Sequence, residues 1–208
     1  MNKVNLKKSV KIDGEDVSVI EYDFNKIKGK DIIDIFKDIL SMGYPVTSYI
    51  TDPVFLIRVF AAASNYDAND IGRINLVDNS KIVSLTRNYL VKNMNSVECD
   101  DNKLELIQEI TIRDANKDTI TLKEVSYNFD ELNGNDIENV LRELARKGYV
   151  PSTSYELDPI CGVGLMARAS KIDYEEFKKM GMIDFLRLSA ITKDFFITSL
   201  NGFQEEEI

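Results

Sequence analysis

Three patterns in this chain have residue types and spacing associated with chemistry. Aspartates recur in pairs: Asp52 with Asp158, Asp67 with Asp173, and Asp78 with Asp184. Neighbouring carboxylates can share a proton for acid–base work or hold a cation. Asp114-x-Asn116-x-Asp118 looks like the opening of a calcium loop. Such a loop needs glycine at its sixth position and a bidentate glutamate at its twelfth. Those places hold Thr119 and Val125, and the flanks alternate like strands, so a hairpin turn is the better reading. Gly162-Val163-Gly164 follows Pro159 inside an apolar run. A phosphate loop would need a preceding strand, more glycines and a lysine, so these glycines are read as sites of close helix packing. Each aspartate pair falls at a predicted helix start, where capping and the helix dipole account for it.

The chain has no histidine. That removes the commonest general base and the commonest transition-metal ligand, and it excludes Ser-His-Asp and Cys-His catalysis. Cys99 and Cys161 sit at unrelated positions, so no disulfide framework is expected. No catalytic residue, cofactor or metal site is predicted.

The elements that carry these residues occur twice. Phe24, Gly29, Asp31 and Ile32 match Phe129, Gly134, Asp136 and Ile137 at an offset of 105. After a one-residue insertion, Pro45, Ser48, Tyr49, Asp52 and Pro53 match Pro151, Ser154, Tyr155, Asp158 and Pro159 at 106. A fixed internal period is read as two copies of one module of roughly 95 residues. The expected division is residues 1–92, a linker at 93–103, and residues 104–208.

Each copy opens on alternating apolar residues around a turn, Asp13-Gly14 in the first, which is a hairpin signal. Ile32, Ile35, Phe36, Ile39 and Leu40 then mark one face of a helix, repeated by Ile137, Val140, Leu141, Leu144 and Ala145. Gly43 and Gly148 lie where a left-handed cap would end it. Asp52-Pro53 and Asp158-Pro159 predict an N-cap and first residue of a second helix. A short acidic helix and a last helix near Asp78 and Asp184 follow. The predicted fold is α+β and mostly helical, a hairpin plus three or four helices, twice over.

With 26 basic and 35 acidic residues the net charge is −9. That disfavours binding to a phosphate backbone. No apolar run approaches the roughly 20 residues of a membrane helix, and the N-terminal segment turns polar too soon for a signal peptide. A cytoplasmic protein with neither nucleic-acid nor membrane partners is expected.

The order of parts resembles the tail assembly chaperones of Mu-like and P2-like bacteriophages. The matching pieces are Gly29-x-Asp31, Ala61-Ala62-Ala63, Asp70 to Ile74, Asp78 and Tyr89-Leu90. In the second copy they are Gly134-x-Asp136, Ala167-Arg168-Ala169, Glu176 to Met180, Asp184 and Phe195-Phe196. The family is usually a single module, so the tandem duplication is a departure from it. The resemblance implies a non-enzymatic protein that binds the tape-measure protein, or another helical tail protein, during tail assembly in a bacterial host. The alternatives are a structural or adaptor subunit of a tail-like particle, or a small-ligand site between the modules. From the residues themselves, Tyr49, Phe55 and Tyr155, around the loop before the second helix, are the candidate partner contacts; aromatic anchors are enriched at interfaces.

Overall fold

The computed structural model describes residues 1–46, 48–94, 102–113, 118–151 and 154–205, with side chains described as far as residue 199. The chain divides into two compact units, Met1–Ser96 and Val97–Ile208. The expected linker is shortened at both ends, because a helix continues to Met94 and a strand begins at Lys103.

In the first unit, β1 (Asn2–Ile12) and β2 (Glu15–Tyr22) form an antiparallel hairpin. Asp13 and Gly14 both take positive φ, 51° and 86°. This is the mirror-image turn whose twist suits a two-residue hairpin. A single 3-10 turn, Phe24–Lys26, leads to α1 (Gly29–Ser41), α2 (Pro53–Ser64), the short α3 (Ala68–Gly72) and α4 (Leu76–Met94). The second unit repeats the order with β3 (Lys103–Arg113), β4 (Thr119–Ser126), a 3-10 turn at Phe129–Glu131, α5 (Gly134–Arg146), α6 (Pro159–Ser170), α7 (Tyr174–Phe177) and α8 (Met182–Glu205). The fold is α+β and mostly helical, as the periodicities imply. Among the described residues each hairpin is a separate two-stranded sheet.

Local chemistry explains the repeated motifs. In Gly-x-Asp, the Asp31 carboxylate reaches back to accept from the Lys28 amide at 2.8 Å, and Asp136 does the same for Asn133 at 3.0 Å. These contacts close the first turns of α1 and α5. Gly43 and Gly148 follow those helices at φ 71° and 74°, the left-handed cap that glycine adopts without strain. Packing repeats as well. The Asp23 amide donates to Ala63 O, and the Asn128 amide to Ala169 O. Tyr22, Phe24 and Phe60 pack ring against ring, and Phe24 meets Tyr89 at 4.6 Å. In the second unit Phe129 stacks on Phe195 at 4.7 Å.

The pair Asp78 and Asp184 departs from the expectation that it serves its own helix start. Both sit in the first turn of the last helix, but their carboxylates face the hairpin. β1 slips register between Asn5 and Val10, and β3 between Glu105 and Ile110. The resulting bulges leave amides unpaired across the strands. Asp78 accepts from the Lys7 amide at 2.8 Å and from Lys8 at 3.4 Å. Asp184 accepts from Ile107 at 3.0 Å and from Gln108 at 3.3 Å. One helical turn on, Lys81 donates to Asn5 O at 3.3 Å and Arg187 to Glu105 O at 3.1 Å. Arg187 also pairs with Asp184 at 3.1 Å.

Asp184→Ala would orphan two bulge amides and leave a buried arginine without its carboxylate. It is expected to destabilise the second unit by about 2–4 kcal/mol, read as a lowered midpoint in denaturant unfolding. Asp184→Asn, which keeps an acceptor, is expected to cost less.

Candidate functional site

The connections between the first and second long helices are the candidate site. In the first unit this loop runs from Met42 to Asp52, where the Asp52 carboxylate caps α2 by accepting from the Phe55 amide at 2.9 Å. Its other oxygen accepts from the Tyr44 hydroxyl at 2.9 Å. In the second unit Asp158 accepts from the Ile160 and Cys161 amides at 3.0 and 2.9 Å and from the Tyr149 hydroxyl at 2.7 Å. A tyrosine–aspartate bond thus ties loop to helix start in both copies, and the sequence reading had only the capping half of it.

The candidate contact residues are placed differently in the two copies. Tyr49 is half-buried, its ring 5.7 Å from Phe55 and 6.4 Å from Phe36. Phe55 is 0 % exposed, so it supports Tyr49 from within the core and offers no surface of its own. Tyr155 is half-buried and meets Phe196 of α8 edge-on at 5.6 Å. The exposed apolar side chains of these loops are others: Met42 at 54 % and Tyr44 at 37 % in the first copy, Val150 at 68 % and Leu157 at 47 % in the second. The sequence reading of this loop singles out Tyr49, Phe55 and Tyr155, and none of these four exposed residues. No periodic pattern marks an apolar residue in a loop as exposed.

Electrostatics separate the copies too. Where the first has Phe55 and Ala68, the second has Cys161 and Tyr174. Tyr149 turns inward there and is only 1 % exposed. Burial pushes the Asp158 carboxyl above its ordinary range, against the opposing effect of bonds from Cys161, Tyr149 and Ile160. Burial, and then the nearby Asp158 charge, push the Tyr149 hydroxyl and the Cys161 thiol upward. A thiol held protonated in a buried place is a poor nucleophile. Tyr44 is raised first by its bond to Asp52, then by that carboxylate's charge and by burial.

The remaining patterns are structural. A Cβ on Gly162 would lie 3.3 Å from Ser189 O on α8, and one on Gly164 would lie 2.6 Å from Val140 Cγ1 on α5. These glycines permit close helix approach. Asp67 and Asp173 cap α3 and α7, accepting from the Asn69 and Glu175 amides at 2.7 and 2.9 Å. Thr119 pairs with Arg113 in the second hairpin, while Asp114, Asn116 and Cys99 lie outside the described residues. Among the described residues no cluster of three or more Cys, Asp or Glu is placed to hold a metal, and no helix is long and apolar enough to cross a membrane. Comparison with family models, curated proteins and solved structures finds no match to this chain.

Two outcomes follow from the asymmetry. Tyr149→Phe removes a donor from a buried carboxylate and is expected to cost about 1–3 kcal/mol. Tyr44→Phe, at an exposed bond, should stay within about 0.5 kcal/mol; thermal melts compare them. The second concerns pH. The folded-state pKa of Asp158 is raised, so the folded unit holds that proton more tightly than the unfolded chain does. Stability of the second unit should therefore fall as pH rises from the ordinary carboxyl range through the raised value. Asp158→Asn should abolish that component in unfolding measured across acidic pH.

Proposed function

We propose that this protein is a non-enzymatic tail assembly chaperone of a phage, prophage or tail-like particle, and that it holds the tape-measure protein soluble before the tail tube forms. One observation carries the reading: both copies expose apolar residues from the same loop, Met42 and Tyr44 in one and Val150 and Leu157 in the other. Single exposed apolar residues are ordinary on a protein surface, and the four do not stand at matching positions, since Met42 answers to Lys147 and Tyr44 to the buried Tyr149. What recurs is a loop between the first and second long helices that carries exposed apolar side chains in both copies. A long amphipathic helix presents apolar side chains to such surfaces in the helix-in-groove mode. Two modules in one chain raise the local concentration of sites along it. The net charge of −9 complements a basic partner and keeps an apolar-surfaced complex in solution. The resemblance in the order of parts supports the same class.

Co-expression with a phage tape-measure protein, followed by size-exclusion chromatography, tests the proposal. The partner is expected to become soluble and to co-elute with this chain. Substituting Met42, Tyr44, Val150 and Leu157 together by serine should abolish co-elution without unfolding the chain. An insoluble partner, with this chain eluting alone or retained in purified particles, contradicts the chaperone reading and favours a structural subunit.

A further inference from the structure

The two copies differ where the last helix meets the hairpin bulge. In the first unit Leu76 and Val77, at the start of α4, are 81 % and 57 % exposed. Backbone bonds of the bulge gather cations beside them. The Lys7 and Lys8 amides donate to Asp78, the residue after Val77, so two exposed lysines sit over the first turn of α4. Lys81, one turn on from Val77, donates to Asn5 O at 3.3 Å. Arg73, four residues before Val77, donates to Lys11 O at 3.3 Å. β1 therefore fixes a cation on either side of Val77 along the chain. Asp78 does not neutralise these cations, because it is buried and accepts from the two amides and the Asn75 side chain. Among the described residues the Lys7, Lys8 and Lys81 ammonium groups have no carboxylate within ion-pairing distance, while Arg73 pairs with Asp70. The second unit lacks this surface. Ile107 and Gln108 stand for Lys7 and Lys8, and the buried Met182 and Ile183 for Leu76 and Val77. Arg187, in the place of Lys81, is buried against Asp184.

We propose that this face of the first unit docks an acidic segment of a partner protein that also carries apolar side chains. Charge complementarity selects the occupant. Three cations without carboxylates attract glutamate or aspartate and repel a basic segment. The apolar pair selects further. Covering Leu76 and Val77 takes apolar side chains, which a sugar–phosphate backbone does not present. The net charge of −9 also opposes a long polyanion. Carboxylates over Lys7, Lys8 and Lys81, with leucine or phenylalanine against Leu76 and Val77, meet both demands. Exposed ion pairs contribute little singly, so binding depends on the apolar contact as well as on charge. The charged part is screened by salt. The proposal does not rest on the chaperone reading, which concerns the helix-connecting loops and a basic partner, so either can fail without the other.

The test uses the full isotope-labelled chain and a synthetic glutamate-rich peptide bearing two leucines. The peptide is expected to shift the Lys7, Lys8, Val77 and Lys81 amides and to leave those of Ile107 and Gln108 unmoved. Lys7→Glu with Lys8→Glu keeps the bulge amides and is expected to weaken binding at least ten-fold. Leu76→Ser with Val77→Ser, at exposed positions, is expected to do the same. Thermal melts check that both variants stay folded, and Leu76→Ser alone replaces the second if its midpoint falls. Added salt should weaken wild-type binding. The proposal fails if the peptide leaves those amides unmoved, or if it binds both variants as tightly as the wild type. It also fails if a peptide with serine in place of leucine binds equally well. A duplex oligonucleotide or anionic vesicles that displace the peptide and shift the same amides would make the face a phosphate site instead. Sedimentation that shows the chain associating with itself, with the association lost in either variant, would make the occupant a second copy and overturn the proposal.

Discussion

A buried carboxylate that accepts bulge amides is the contact on which each module depends. A two-stranded hairpin is marginal by itself in water, and a bulge leaves strand amides without strand partners. A buried aspartate is costly unless donors surround it. Asp78 and Asp184 meet these demands together, because the bulge supplies the donors and the carboxylate supplies the acceptor. Burial pushes the Asp78 carboxyl up, but bonds from Asn75 and the Lys7 and Lys8 amides outweigh it and leave the group below its ordinary value. The bond fixes the hairpin to the last helix. Ring contacts from Phe24 to Tyr89, and from Phe129 to Phe195, hold the far part of that helix against the turn after the hairpin. The second helix, whose buried side chains include Val59 and Phe60 or Val163 and Met166, occupies the space so enclosed.

The legible parts of this fold are those written in local chemistry. Asp-Pro gave the start of α2 and α6, Gly43 and Gly148 gave the ends of α1 and α5, and apolar spacing gave the buried faces. What could not be read is long-range. The strand offset between copies is 100 at the bulges, where Asn5 corresponds to Glu105, because the second hairpin has a longer connection. That difference hid the correspondence of the first strands. The same aspartate type caps a helix at 52 and 158 but serves a bulge at 78 and 184, and only the fold distinguishes them. Of the candidate contacts, Phe55 belongs to the core. Tyr49 and Tyr155 touch different helices, since Phe55 is replaced by Cys161 and Leu90 by Phe196.

Duplication kept the frame and released the interior of the helical layer. In the first unit an arginine, Arg58, reaches from α2 to Asp38 of α1, and a tyrosine, Tyr44, stays near solvent. In the second a glycine stands at that place and lets the helices approach, and the tyrosine is buried against Asp158.

Hydrogen exchange of the full chain, alone and mixed with a phage tape-measure protein, tests the proposed chaperone reading most directly. The account predicts slowed exchange at 42–46, 48–51, 147–151 and 154–157, with the bulge amides of Lys7, Lys8, Ile107 and Gln108 already protected in the free chain and unchanged on binding. Slowed exchange confined to the hairpins, with both loops exchanging as in the free chain, would contradict it.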